Sequence, residues 1–198
     1  MSMRSRPSWI ALLVCVCAGL VSALSPRVLG QTLGVPEEFT AIAIVNNNLA
    51  SGAGTVLIRI NRWSMEAERT RLIETLQKKG PEKLLDELQD MRSVGTIRTP
   101  DSLAYDLRYA QQRPAEDGGR QIVLATDRPI GFWEAVRQPR TIQYPFTVIQ
   151  MQMGREGKGK GTVSYATKII VRGDTVELEN FATQPIMLTE IRSERGER

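Results

Sequence analysis

The chain has 198 residues, of which 41% are hydrophobic and 24% charged, with no histidine and two cysteines. The absence of histidine excludes Ser-His-Asp and Cys-His nucleophile systems and the usual zinc sites. The formal net charge of +4 falls close to neutrality once Arg4, Arg6 and Arg27 are set aside, so the composition predicts no nucleic-acid surface.

The first 30 residues have the pattern of a secretory signal peptide. Arg4 and Arg6 precede an uncharged apolar run, Trp9–Leu24. The run is shorter than the roughly 20 residues that a membrane-spanning helix needs. Cleavage is therefore favoured over the alternative, an uncleaved membrane anchor.

Small residues allow cleavage after Ala23 or after Gly30, and either cut removes both Cys15 and Cys17. The mature chain would then contain no disulfide, although an exported compartment permits one. The sequence thus predicts a periplasmic or extracellular protein with no stable membrane insertion after cleavage.

Residues 31–198 are predicted to form a single antiparallel β-rich domain of the α+β class. Eight segments have strand-like composition or alternation: Phe39–Val45, Val56–Trp63, Leu103–Ala110, Ile122–Ala125, Tyr144–Met153, Val163–Val171, Thr175–Phe181 and Pro185–Ile191. Short turns join most of them, which favours a strongly bent sheet or a partly open barrel of about eight strands.

Two of these segments form the clearest hairpin. Gly173-Asp174 is a favoured two-residue turn, and with it Ile169 lies opposite Leu178 and Lys168 opposite Glu179. This register pairs apolar with apolar and opposite charge with opposite charge, which supports it.

A pair of short helices is predicted at about residues 64–92. Ser64 is the expected N-cap of the first, Gly80 ends it, and Pro81 begins the second. The apolar stripes are Leu72, Ile73 and Leu76, then Leu84, Leu85, Leu88 and Met91. Because their outer faces carry charges of both signs, a role in covering the sheet is favoured over membrane or partner binding.

The central hairpin leads into the best candidate for a binding site. In the segment 103–110, the side chains of Leu103, Tyr105, Leu107 and Tyr109 are predicted to share one buried face. After the returning strand come the candidate ligand-binding residues Asp127, Arg128, Phe132, Trp133 and Glu134. Their aromatic rings and charges suit a sugar or another small polar ligand, although a core anchor under a loop is the favoured alternative for the tryptophan.

The glycine-rich segment Gly154–Gly161 is predicted to be a flexible loop. It nearly matches a phosphate-binding loop, but Gly161 stands where Ser or Thr holds magnesium, and a strand follows instead of a helix. Phosphate binding is therefore disfavoured, and no cofactor or metal site is predicted.

Glu177 and Glu179 are the basis of an alternative function. They share one face of a strand, with carboxyl groups roughly 6 to 7 Å apart from the strand rise. Paired carboxylates near that spacing hydrolyse glycosides. A solvated face neutralised by Lys168 and Arg172 is the favoured interpretation, so catalysis is not expected.

Three strings of the chain, Asn46–Val56, Thr96–Asp106 and Leu124–Glu134, resemble a group of uncharacterised exported bacterial proteins. The resemblance implies a bacterial, exported protein and brings no activity or functional residue with it. The sequence therefore predicts a non-catalytic binding or envelope-structural domain, with a small polar ligand, a glycan or an envelope protein as its partner. The alternative is a carboxylate-dependent hydrolase acting on sugars, with Glu177 and Glu179 or Asp127 and Glu134 as its carboxylate pair.

Overall fold

Ten strands and two helices make up the part of the chain that the computed structural model describes, residues 36–46, 51–130, 144–172, 175–180 and 184–195. In chain order they are β1 (Glu37–Asn46), β2 (Ser51–Ile60), α1 (Glu66–Lys79), α2 (Pro81–Asp90), β3 (Gly95–Arg98), β4 (Tyr105–Leu107), β5 (Tyr109–Pro114), β6 (Arg120–Thr126), β7 (Phe146–Met153), β8 (Lys158–Arg172), β9 (Thr175–Asn180) and β10 (Ile186–Arg195). The predicted signal peptide, residues 1–30, lies outside the described residues.

The strands form one antiparallel sheet in the order β4-β3-β2-β1-β10-β8-β7-β6-β5. Its end strands, β4 and β5, are separated in the chain by Arg108 alone. On one side the Leu107 carbonyl accepts a hydrogen bond from the Val94 N–H (2.7 Å), and on the other the Arg108 N–H donates to the Ala125 carbonyl (2.9 Å). One bent segment thus joins both ends of the sheet, which curls into a nearly closed barrel.

The predicted antiparallel α+β fold with an inserted helical pair is confirmed, but the expected count of about eight strands is too low. Nine strands follow the barrel path, and β9 pairs with β8 outside it. One extra strand is β3, which has only four residues and was not predicted. The other arises because the predicted strand 103–110 is divided at Arg108 into β4 and β5.

Alternation along the strands positions the barrel core. In β1 the side chains of Phe39, Ala41, Ala43 and Val45 are all at most 3% exposed, while their neighbours are partly or fully exposed. Opposing strands contribute further branched side chains, such as Ile149 of β7, to the same cluster. Burial of these apolar side chains is the main stabilising term of the fold.

The helical pair covers the outside of the sheet, as predicted. Leu72 and Leu76 of α1 and Leu84 and Leu88 of α2 are buried in one cluster. The same cluster includes Phe146 of the sheet. Among the described residues, neither helix combines the length and the apolar character that crossing a membrane requires.

The first helix begins differently from the prediction. Its N-cap is Met65, whose N–H donates to a carboxylate oxygen of Glu68 at 2.8 Å. The Ser64 hydroxyl instead accepts a hydrogen bond from the Ala110 N–H at 3.1 Å. Ser64 therefore ties the start of the helical pair to β5, a long-range contact that local capping rules do not reveal.

Register within the β8–β9 hairpin agrees with the prediction. Ile169 pairs with Leu178, and Lys168 pairs with Glu179. The turn residues Gly173-Asp174 lie outside the described residues.

The predicted single buried face of 103–110 is wrong. Leu103 is 90% exposed, whereas Leu107 and Ala110 are both fully buried. Two residues separate these buried positions instead of one, because the chain bends at Arg108 to pair with β3 before the bend and with β6 after it.

Candidate functional site

Two of the predicted ligand-binding residues, Asp127 and Arg128, lie directly after β6. Asp127 is buried, with one carboxylate oxygen 3.4 Å from Nε of Arg108 and the other 3.3 Å from Nε of Arg128. The remaining predicted residues, Phe132, Trp133 and Glu134, lie outside the described residues. The two described residues of the predicted site therefore belong to an ion-pair cluster with Arg108.

Arg108 connects this cluster to the bend of the barrel. Its guanidinium donates to the Met91 carbonyl at 2.9 Å, and Met91 is the C-cap residue of α2. Its backbone N–H bonds the carbonyl of Ala125 in β6. Arg108 thus links the bent segment, the helical pair and β6. Because Asp127 holds this arginine in place, its role is structural.

The chain after Asp127 is hydrogen-bonded to β7. The buried Thr147 hydroxyl donates to the Arg128 carbonyl and accepts from the Ile130 N–H, both at 3.1 Å. Ile130 itself is 2% exposed. Asp127 and Ile130 are therefore part of the packed barrel, whereas the Arg128 side chain between them is exposed.

The paired carboxylates of the hydrolase alternative lie on β9. Both Glu177 and Glu179 are exposed, and the Tyr144 hydroxyl donates to a Glu179 carboxylate oxygen at 2.8 Å. This hydrogen bond raises the pKa of Tyr144 above its ordinary value. A general acid needs a desolvated carboxyl group, and exposed carboxylates do not provide it.

A second region stands out at the other end of β6. Two turns lie side by side there, one joining β5 to β6 and the other joining β7 to β8. Gly118 and Gly157 adopt positive φ values of 76° and 73°, which favour glycine. A Cβ at Gly118 would come within 2.0 Å of an Arg155 guanidinium nitrogen, so the two turns are in contact.

Between these turns and the adjoining strand ends lies an open cavity of about 880 Å³, here called the turn groove. Its polar lining residues are Glu116, Asp117, Arg120, Gln121, Gln152, Lys158 and Lys160. Among the described residues, no aromatic side chain lines it. The turn groove therefore offers hydrogen bonds and charge, without an aromatic ring in its described lining for a ligand to stack on.

A row of three exposed side chains crosses the turn groove from strand to strand. Gln121 of β6 pairs with Gln152 of β7, which pairs with Lys160 of β8. Because antiparallel pairing fixes this register, the two amides and the ammonium group point from the same face of the sheet.

Arg120, which lines the turn groove, is held by a partly buried polar network. Its two terminal nitrogens donate to the two carboxylate oxygens of Glu37, one at 2.8 Å, and to the amide oxygen of Gln112 at 2.8 Å. The Ser193 hydroxyl also donates to Glu37, which is 5% exposed. The guanidinium carbon lies 5.7 Å from the centre of the Phe39 ring. These contacts fix the one arginine found among the described residues that line the groove.

Sequence reasoning missed the turn groove and the network that holds Arg120. Glu37 and Arg120 are 83 residues apart, so no local motif contains both. One signal was present, since Glu37 has the same alternation parity as the buried Phe39 and Ala41. A charged residue on a buried face requires a partner.

The described residues contain no group of three or more acidic side chains placed to bind a metal ion together. No protein-family model matches the chain, and neither a curated protein nor a solved structure matches it. The class of protein is thus defined by its own fold and groove: a barrel-like α+β protein with a polar groove at one end of the sheet.

Proposed function

We propose that the protein is an exported, non-catalytic binding protein whose small polar ligand or glycan binds in the turn groove. The observation that carries this proposal is the row formed by Gln121, Gln152 and Lys160 along an open cavity of about 880 Å³. A volume of this order suits a small ligand. Amide and ammonium groups held in fixed register supply directional hydrogen bonds to it.

The rigidity of one lining residue supports the same proposal. Arg120 is bonded to Glu37 through two nitrogens and also to Gln112, so this part of the groove lining is organised before a ligand arrives. A preorganised surface loses less conformational entropy on binding than one that must become ordered.

Export is supported by the sequence of residues 1–30. Its test is an intact-mass measurement on protein recovered from the cell envelope or the medium. We expect the mass of a chain lacking the first 23 or the first 30 residues. Recovery of the full-length chain from the cytoplasm would contradict export.

No observation on the described residues favours the hydrolase alternative. Glu177 and Glu179 are exposed, and Asp127 lies against two guanidinium groups rather than in an apolar pocket. The envelope-structural role predicted from the sequence becomes the leading interpretation if the binding experiment below finds no ligand.

Binding can be tested with a thermal-shift panel of glycans and small metabolites on the mature chain. A ligand that binds the native state raises the melting temperature. We expect a stabilising ligand whose effect is lost in Gln152→Ala. Gln150→Ala is the matched control, because Gln150 is also exposed on β7, with its side chain on the same face two residues away, and does not line the groove.

Trp133→Ala tests the competing site that the sequence predicted at residues 127–134. A ligand effect lost in Trp133→Ala and retained in Gln152→Ala would move the binding site to that segment. An effect lost equally in Gln150→Ala and Gln152→Ala would also contradict the turn groove as the site.

A further inference from the structure

We infer that the ligand of the turn groove is an anionic sugar, a saccharide carrying carboxylate or phosphate groups, oriented with its charge toward β8. This inference rests on the proposed binding function and specifies its ligand. The charged side chains of the groove are divided between its two sides by sign.

Positive charge lies on the β8 side. Lys158 and Lys160 are exposed on the same face of one strand, and neither forms an ion pair with a carboxylate in the described part of the chain. Arg120 does not add to this charge, because Glu37 neutralises it. Two unneutralised ammonium groups on one rim attract an anionic group.

The acidic residues of the groove lie on the opposite rim, in the β5–β6 turn. Asp117 accepts a hydrogen bond from the Gly119 N–H at 2.9 Å, so it is engaged in shaping the turn. Glu116 is exposed beside it. Repulsion from these carboxylates directs the anionic end of a ligand toward Lys158 and Lys160 and leaves its neutral part near the turn.

Between the rims, the groove floor suits sugar hydroxyl groups. Gln121 and Gln152 each present an amide that both donates and accepts, the combination that a hydroxyl group requires. The row from Gln121 to Lys160 covers two strand spacings, roughly 10 Å. A ligand that reaches all three side chains is therefore longer than one sugar ring.

The inference is tested by measuring the Kd of the mature chain for paired probes at low ionic strength. One pair is an oligogalacturonate and the matching neutral galacto-oligosaccharide, and a phosphorylated disaccharide with its neutral parent forms the second pair. We expect the anionic member of at least one pair to bind about tenfold more tightly or better. The two pairs distinguish carboxylate from phosphate as the recognised group.

Lys160→Gln should weaken binding of the anionic probe about tenfold. Lys168→Gln is the matched control, since Lys168 is exposed on the same strand, outside the groove and opposite Glu179. It should change the Kd less than about twofold, because salt screens distant charges.

Three outcomes would overturn the inference. Equal affinity for the neutral and anionic members of both pairs would show that the groove binds a ligand without reading its charge, and the proposed function would stand. Equal weakening by Lys160→Gln and Lys168→Gln would show a general charge effect. No binding of any probe would exclude anionic sugars, and the wider panel would then decide the proposed function separately.

Discussion

The two ends of β6 carry two arginine–carboxylate pairs, each with a buried carboxylate, that differ in geometry. At the groove end, Arg120 and Glu37 form a double hydrogen bond that Gln112 and Ser193 extend. At the other end, the Arg108–Asp127 pair is longer, at 3.4 Å. Within the described part of the chain, Nε of Arg108 has no hydrogen-bond partner of good geometry.

The difference indicates different roles for the two ends. The Arg120–Glu37 pair has several hydrogen bonds and orders every group that it contacts, which suits the lining of a binding groove. The looser pair contains an arginine whose shortest side-chain bond, 2.9 Å, goes to the Met91 backbone, so it serves to connect the chain bend to the helices. The groove end is therefore fixed by side chains, and the bend end mainly by backbone contacts.

Removal of the arginine at the groove end should have the largest effect on stability. Arg120→Met leaves the buried carboxylate of Glu37 without its cation, and we expect a loss of about 3 to 5 kcal/mol in the free energy of unfolding by urea. Arg113→Met, at an exposed position on the neighbouring strand, should cost less than about 0.5 kcal/mol. Similar losses in both variants would contradict the role of the network.

A truncation in the helices that pack on the sheet near the bend should have the next largest effect on stability. Leu88 is 2% exposed in the helix–sheet cluster, so Leu88→Ala should cost about 2 to 5 kcal/mol in urea unfolding. Leu85 is only half-buried beside it, and Leu85→Ala should cost clearly less. A loss under about 0.5 kcal/mol for Leu88→Ala would mean that the helices do not stabilise this end.

The Arg108–Asp127 pair should contribute less to the free energy of unfolding than the Arg120–Glu37 pair. Asp127→Asn preserves the shape of the side chain and removes its charge, while Arg108 retains its bond to the Met91 carbonyl. We expect a loss of about 1 to 3 kcal/mol in the same assay. A loss equal to that of Arg120→Met would show that the two ends do not differ.

The smallest effect should come from a pair outside the barrel. Arg62 donates to both carboxylate oxygens of Glu68 at 2.9 Å, and these bonds lower the pKa of Glu68 below its usual 4.5. A carboxyl group whose pKa is lower in the folded state stabilises the protein at pH values above its pKa in the unfolded state. That stabilisation is lost as the pH falls through the pKa of the folded state.

Acid unfolding of the native chain and of Glu68→Gln measures this contribution. Below about pH 4.5 the difference in stability between the two chains should shrink by less than about 1 kcal/mol. A difference that grows as pH falls would have the wrong sign and would contradict the lowered pKa.

Local features of the sequence were sufficient for much of the fold. Gly80 and Pro81 divide the helices as predicted, and the β8–β9 register follows from its turn and cross-strand pairs. The bend at Arg108 was missed because its cause is tertiary. The segment has ordinary strand alternation, but it must pair with β3 and then with β6 to close the barrel.

The turn groove could not be predicted for a related reason. Gln121, Gln152 and Lys160 come from three strands, and their proximity depends on a register that the sequence does not state. The glycine-rich segment was expected to be a flexible loop, yet its second half, from Lys158, is paired strand. Sequence reasoning favoured aromatic residues at 127–134 because such side chains are recognisable without knowledge of the fold.

Mapping backbone amide chemical shifts by NMR tests the central claim, that the ligand binds at the groove end of the barrel. Isotope-labelled mature chain would be titrated with the most stabilising compound of the thermal-shift panel. The largest changes are expected at residues 114–121 and 152–160, with small changes around Asp127. Changes concentrated at residues 127–134, or spread without a cluster, would contradict the claim.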